Sequence, residues 1–457
     1  MRPLPELEPL GELALPDTAE RQLPNGLTVI VIRRPTVPLV ELRLRVPFGM
    51  RPGGAGPDGS DGAARLATTN VLAQTLLSGT GTMSNVEIAA ELQSIGGALG
   101  AGVDPDRLLI SGNGLVSGLD RGLAILAQVL TDAAYPAEEV RTERERLADR
   151  IQVARSQPAH LARVALLKRM YGAREGSAGD HPYAVQTPEP EQVRQVGTDD
   201  LRALHDARVH PAGATLVLVG DLDPEAALES AAKALGGWDG GGALVELPPT
   251  PALEPGPLVL ADRPDSVQSS LRVALPAVGR THPDHAALQL ANLVFGGYFS
   301  SRWVENIRED KGYTYGPHST VEHSVAGSAV IVAAEVATEV TAPALLETTY
   351  ELGRLATVPP TGAELEQARQ YTLGTLQLGI STQAGLAGLA STYAGSGLRL
   401  DYLAQHAQAL ASATVEDVAA AAARYLAPAR AVTVVLGDAG RVADGLGALG
   451  PVTREST

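Results

Sequence analysis

Asn70 and Gln74 stand four residues apart in "TNVLAQTLLSGT" (69–80). A helix over this stretch places both side-chain amides on one face, a turn apart, among Val71, Leu72, Leu76 and Leu77. Amides donate and accept hydrogen bonds, but they are poor zinc ligands beside imidazole. The nine histidines (His160, His181, His205, His210, His282, His285, His318, His323 and His406) form neither HExxH nor HxxEH, the helical spacings that gather two imidazoles around zinc. His205 and His210 are five apart and splay on a helix, and His282 and His285 flank Pro283 at an expected helix start. Capping and surface roles are expected there. There is no GxSxG and no P-loop; "GGAGPDGSDG" (53–62) lacks the Lys-Ser/Thr of a phosphate cradle and reads as a surface loop. In "NIREDKGYTYG" (306–316), spacing alone puts Arg308 in the solvated run "REDK" and Tyr315 on a half-buried strand.

Composition narrows the partners. The net charge of −16 argues against nucleic acid, which needs a basic surface. With no cysteine, disulfides, thiolate nucleophiles and Cys-ligated zinc are excluded. The first 26 residues carry acids and prolines where a signal peptide needs an apolar core, and no run reaches the ~18–20 apolar residues of a membrane span. A soluble, cytoplasmic protein without nucleic-acid or membrane partners is expected.

The elements that must position any site come in two copies. "DDLRALHDARVHPAGATLVLVGD" (199–221) and "EDVAAAAARYLAPARAVTVVLGD" (416–438) both read as an acid, a helix, a Pro, an apolar strand and Gly-Asp, at an offset of 217 residues. "VELRLRVPFGMR" (40–51) is echoed by "SSLRVALPAVGR" (269–280), each a period-2 strand before a helix; the second helix is expected to begin near Pro283. Two homologous α+β modules follow, each a mostly antiparallel sheet with helices packed on one face. The expected division is an N-terminal extension (1–22), a first module (23–235), a Gly/Pro-rich linker (236–258), a second module (259–445) and a tail (446–457).

The order of motifs resembles the insulinase-like M16 peptidases, in particular two-module subunits like those of bacterial M16B peptidases and mitochondrial processing peptidase. "LPNGLTVIVIRRPTVPLVELRLRVPFGMR" (23–51), "LLSGT" (76–80), "MSNVEIAAELQSIGGALGAGVDPDRLLISG" (83–112) and above all "VFGGYFSSRWVENIREDKGYTYG" (294–316) carry the resemblance, which runs from about Leu23 to Asp438. It implies the LuxS/MPP-like metallohydrolase fold.

In active relatives the helix before "LLSGT" carries His-x-x-Glu-His, and a later helix supplies a third ligand, a Glu. By this resemblance the two His positions fall on Asn70 and Gln74, the general base on Ala73 and the third ligand on Arg150 in "ERERLADRI" (143–151). All four are changed, which implies that this chain binds no metal and that zinc belongs to a partner subunit with an intact HxxEH. The second module's Arg and Tyr fall on Arg308 and Tyr315 with Gly312 between; both are donors suited to hold a scissile carbonyl and its oxyanion. Tyr313, two residues earlier on the same expected strand, would share that face. The resemblance also implies peptide addition to a sheet edge at Gly100, Ala101 and Gly102, within "GALGAGVDPD" (97–106). "GGYFSSR" (296–302) lies where some relatives have a substrate-handling Gly-rich loop; a helix end and turn is the other reading. The implied function is a non-catalytic subunit of a heterodimeric zinc peptidase acting on unfolded peptides. The alternative is a scaffold or peptide-binding member of the fold; a stand-alone protease would need an unrecognised metal site.

Overall fold

In "LVELRLRVP", Leu42, Leu44 and Val46 alternate with Arg43 and Arg45, and the pleat sends the two sets to opposite faces of strand β3 (Leu39–Pro47). The apolar set enters the first core, while Arg45 reaches across the other face to Ser391 and Thr392. The computed structural model describes residues 14–48, 62–173, 179–240 and 247–456. Loop 53–62 therefore lies outside the described residues except for Gly62, as does 241–246 of the expected linker.

Six strands of the first half, β1 (Thr18–Gln22), β2 (Thr28–Arg33), β3, β4 (Ala98–Val103), β5 (Arg107–Leu115) and β6 (Thr215–Gly220), form one sheet in the order β1-β2-β6-β3-β5-β4. Only β2 and β6 pair in parallel. The second half supplies β7 (Leu258–Asp262), β8 (Gln268–Pro276), β9 (His318–His323), β10 (Ser328–Ala337), β11 (Val432–Gly437) and β12 (Val452–Ser456), ordered β12-β7-β11-β8-β10-β9. The repeat read from the sequence falls on equivalent central strands, β6 and β11, each preceded by a helix (Thr198–Arg208 and Val415–Tyr425). The fold is α+β, with two mixed six-stranded sheets and their helices.

The outermost position beside β2 and β7 is filled from opposite ends of the chain. In the first sheet β1 pairs antiparallel with β2, and in the second β12 pairs parallel with β7. Residues expected as an N-terminal extension and a C-terminal tail thus supply edge strands, because each sheet otherwise exposes an unpaired backbone row there. The second-module helix starts at His285, behind Asp284, so Pro283 precedes it.

Helices bury one face of each sheet, and the other face is covered too, by exchange between halves. Ile30, Ile32, Val217 and Val219 pack against Leu386, Ala387 and Ala390 of the helix Gln383–Ala394. Reciprocally, Leu166 and Met170 of the helix Pro158–Tyr171 pack on Val259, Ala274, Ile331 and Val434. This is why β2 and β6 read as unbroken apolar runs: strands buried on both faces lose the alternation. Each fully buried Leu, Ile or Val contributes about 1.5–3 kcal/mol of transfer free energy, so the exchanged helices bind the two halves together. A polar contact adds to the seam. Buried Asp106 accepts from Tyr183 Oη (2.5 Å) and from the Val325 amide (3.0 Å) in the β9–β10 turn, and Tyr183 Oη accepts from the Ala326 amide (3.0 Å).

Candidate active site

The helix Gly62–Thr75 turns Val71, Leu72 and Ala73 into the first core, leaving Asn70 and Gln74 half-buried at its edge. Asn70 Nδ2 donates to the Leu66 carbonyl of its own helix at 2.9 Å. Gln74 Oε1 accepts from Arg150 Nη2 at 2.7 Å, across to the helix Ala137–Arg155. The packing therefore brings together residues 76 positions apart in sequence. A cleft of about 320 Å³ opens beside Asn70, bounded by Thr69, Phe48, Val103, Asp104 and Gln186. Buried Thr69 Oγ1 has no hydrogen-bond partner among the described residues.

These groups do not fit a zinc ion. One amide nitrogen is spent on its own helix, and Arg150 sets a guanidinium against the other amide. Among the described residues no group of three or more His, Asp or Glu is arranged to hold a metal.

The end of β4 borders the same cleft through Val103. β4 is an edge strand, paired only with β5, and nothing lies within 4 Å of where side chains on Gly100 or Gly102 would begin. Ala101 lies between them, half-buried against the first core.

Arg308 and Tyr315 lie in the second module, and no described interaction joins them to Gln74 or Arg150. The segment that positions them is built on Trp303, which is 1% exposed, stacks on Phe295 with centroids 5.4 Å apart and donates from Nε1 to Thr348 Oγ1 at 3.0 Å. Gly296 is required here, since a Cβ would meet the Trp303 ring at 2.8 Å. Arg302 anchors the segment by a two-pronged pair with Glu364 (2.6 and 2.9 Å), and its hydrogen bonds hold the Glu364 carboxyl down at about 2. "GGYFSSR" is thus a π-helical turn, Leu293–Gly297, followed by a short turn into Arg302.

Arg308 sits in a second π-helical turn, Glu305–Asp310. Gly312, at φ +65°, reverses the chain in the left-handed region. The Tyr313 amide then donates to the Ile307 carbonyl (2.8 Å), and Thr314 Oγ1 donates to the Glu335 carbonyl (2.6 Å). The expected strand is absent: residues 312–317 are irregular, and β9 begins at His318. Tyr313 and Tyr315 consequently do not share a face. Tyr313 packs half-buried against the second core, whereas Tyr315 is 84% exposed.

Arg308 and Tyr315 do meet. The guanidinium carbon lies 4.7 Å from the Tyr315 ring centroid and 4.5 Å from that of Phe299, which is 55% exposed. Two rings hold the cation, at about 0.5–1 kcal/mol each for exposed pairs, and Glu309 approaches Nε at 3.1 Å. The two terminal nitrogens carry no hydrogen bond among the described residues, leaving four N–H groups for an acceptor. The sequence reading missed Phe299; its only signal was an apolar residue in a polar turn.

Family models match two stretches of the chain, an "Insulinase (Peptidase family M16)" model at residues 55–178 and a "Peptidase M16 inactive domain" model at 195–371. The chain belongs to the M16 peptidase family. Across 443 residues this M16 protein is 24% identical to an uncharacterized zinc protease of Mycobacterium tuberculosis, covering 96% of this chain and 97% of that one. An uncharacterized zinc protease of Mycobacterium leprae is 23% identical over 306 residues; there the match covers 66% of this chain and 65% of the relative, just under two thirds of its length. In fold, the M16 chain is similar to a peptidase M16 inactive domain from Pseudomonas fluorescens (TM-score 0.81, 24% identity, 92% of this chain and 98% of that one). It is also similar to a protease from Helicobacter pylori (TM-score 0.82, 18% identity, 92% and 100%). No helix of the described residues is long and apolar enough to cross a membrane.

Proposed function

We propose that this chain is the non-catalytic subunit of a two-chain M16 peptidase, supplying donors to the substrate opposite a homologous subunit that carries HxxEH and the zinc. The observation that carries this reading is the Gln74–Arg150 hydrogen bond, which fills with an amide and a cation the place where the family's active members hold a dication. Asn70 and Ala73 complete the replacement.

The donor side is kept. Arg308, held between Phe299 and Tyr315 with its terminal N–H groups unpaired, is preorganised for a carbonyl oxygen on which negative charge develops. The Tyr315 hydroxyl supplies a second donor. An extended, unfolded peptide would add along β4 at Gly100, Ala101 and Gly102, through backbone groups that require no particular side chain. A pure scaffold would have no need of a solvent-facing Arg/Tyr pair, which favours the peptidase subunit over that alternative. The working compartment is proposed to be the cytoplasm, with neither nucleic acid nor membrane as partner, in keeping with the net charge of −16.

The test is reconstitution. The purified chain is mixed with a homologous HxxEH-bearing M16 subunit encoded by the same genome, and cleavage of an unstructured peptide is followed. Activity that requires both chains, with zinc only in the second, is the expected result. Full activity of the second chain alone, with no gain on mixing, would refute the subunit role.

A further inference from the structure

Arg280 follows β8 and is a cation to which the described residues offer no ion pair. Its side chain is half-buried, Nε is sealed from solvent without a partner, and it makes neither an ion pair nor a side-chain hydrogen bond. The acids flanking the region are engaged elsewhere: Asp284 with Arg424 and Tyr425, and Glu322 with Arg163. A half-buried cation with a sealed, unpaired N–H and no anion is costly and calls for a partner.

The groups facing Arg280 come from four elements. They are His285 on the helix His285–Asn292, His323 at the end of β9, Tyr402 and His406 on the helix Tyr402–Ser412, and Tyr393 on the helix Gln383–Ala394, with His282 of the connecting loop acting on His285. The guanidinium carbon lies 5.7 Å from the Tyr393 ring centroid. None of these groups is an acid.

Burial first, and then the Arg280 cation, favour the neutral form of the central imidazoles, and one hydrogen-bond scheme joins them in that form. Tyr402 Oη donates to the Arg280 carbonyl (2.8 Å), so it must accept from His285 Nδ1 (3.2 Å). His285 Nε2 is then bare and accepts from His323 Nε2 (3.2 Å), whose Nδ1 accepts from Ser328 Oγ (2.8 Å). Each donor in this chain is used once. His406 gives its Nε2 proton to Gln289 Oε1 (2.8 Å). Arg280 is thus a lone positive charge among neutral polar rings.

One planar cation calls for one planar monoanion. A phosphate dianion would want a second cation or a cradle of backbone amides, and neither is present among the groups just named. We propose that the Arg280 guanidinium, with the Tyr393 ring beside it, binds a carboxylate, either of a small free acid or of a peptide's C-terminus. The hydroxyl of Tyr393 makes no hydrogen bond among the described residues and can donate to the second carboxylate oxygen. This site stands whether or not the partner subunit exists.

The test uses the full chain at constant ionic strength, following Tm against acetate, trialanine, trialanine amide and inorganic phosphate. A ligand that binds only the native state raises Tm with concentration. The expected result is a saturable rise with acetate or trialanine that the amide does not give, and that is lost in R280M. Tighter binding of trialanine than of acetate assigns the site to a peptide end, and the reverse assigns it to a free acid. Without ligand, R280M should melt no lower than the parent, because it removes an uncompensated charge rather than a structural bond. Y393F keeps the cation and should weaken binding several-fold, which gives a second readout should R280M fold poorly. No saturable effect of any carboxylate, an effect unchanged in both variants, or tighter binding of phosphate would overturn the proposal.

Discussion

Arg150 Nη2 donates to Gln74 Oε1 at 2.7 Å, joining two helices whose residues the sequence keeps 76 positions apart. A guanidinium carries its charge throughout the accessible pH range, so it repels a dication under all conditions. The parent chain is expected to bind no stoichiometric zinc by elemental analysis. Q74H alone should not create a site, because the Arg150 cation remains. The combination N70H, A73E, Q74H and R150E should bind zinc, since it supplies two imidazoles and a carboxylate as ligands and removes the charge. R150E alone should change stability by only about 0.5 kcal/mol, as the contact is exposed.

The Arg308 fork gives a kinetic prediction. In the reconstituted pair, R308A and Y315F should each lower kcat by roughly 10²–10³-fold, the size of effect seen on loss of one oxyanion donor. Neither should shift Tm by more than about 1 °C, because Tyr315 is exposed and Arg308 packs only on exposed rings. F299A should lower kcat less than R308A does, because it frees the guanidinium without deleting it. Unchanged turnover in R308A and Y315F would end the role assigned to them.

The histidine cluster predicts acid sensitivity. Burial, with neighbouring His406 and His323 and the Arg280 cation, pushes His285 down to about 3; burial and Arg280 hold His323 and His406 at about 4. All three lie below the ordinary 6.5, so the unfolded chain binds more protons than the native one between these values. Their contribution is complete above about pH 6.5 and is lost as pH falls toward 4. At pH 5 the loss is at most about 2 kcal/mol per imidazole. Urea unfolding at pH 7.5 and 5.0 measures it, and H406Q should flatten the difference. A stability independent of pH over this range would contradict the neutral cluster.

The seam predicts a stability defect. D106A removes a buried carboxylate that accepts from Tyr183 and from the Val325 amide and lies 3.8 Å from Arg107. It should cost about 3 kcal/mol or more by urea unfolding, since those donors are left buried and unpaired. Y183F keeps the carboxylate and should cost less. Equal, negligible effects would show that the β9–β10 turn does not depend on this contact.

Much of the fold was legible because its signals are local. The alternation in β3, the Gly-Asp endings of β6 and β11, and the paired helix–strand units of the two halves all lie within short windows. The candidate-site positions Asn70, Gln74, Arg150, Arg308 and Tyr315 could be named because each sits in a short motif of recognisable order. The strand expected at Tyr313–Tyr315 failed because tertiary bonds overrode its β-forming residues. Gly312 turns the chain, and Thr314 ties it to Glu335 outside any ladder.

The sequence by itself determined the two α+β modules, the absence of cysteine chemistry and the residue types at each candidate position. Only the tertiary structure decided which distant groups meet: Gln74 with Arg150, Phe299 with Arg308 and Tyr315, and His285 with His323 and His406. The exchanged helices on the two sheets were likewise settled there. The reason is physical. Backbone preference and hydrophobic period act over a few neighbours along the chain, whereas burial, pairing and the neutralisation of charge depend on what packing brings within a few ångströms.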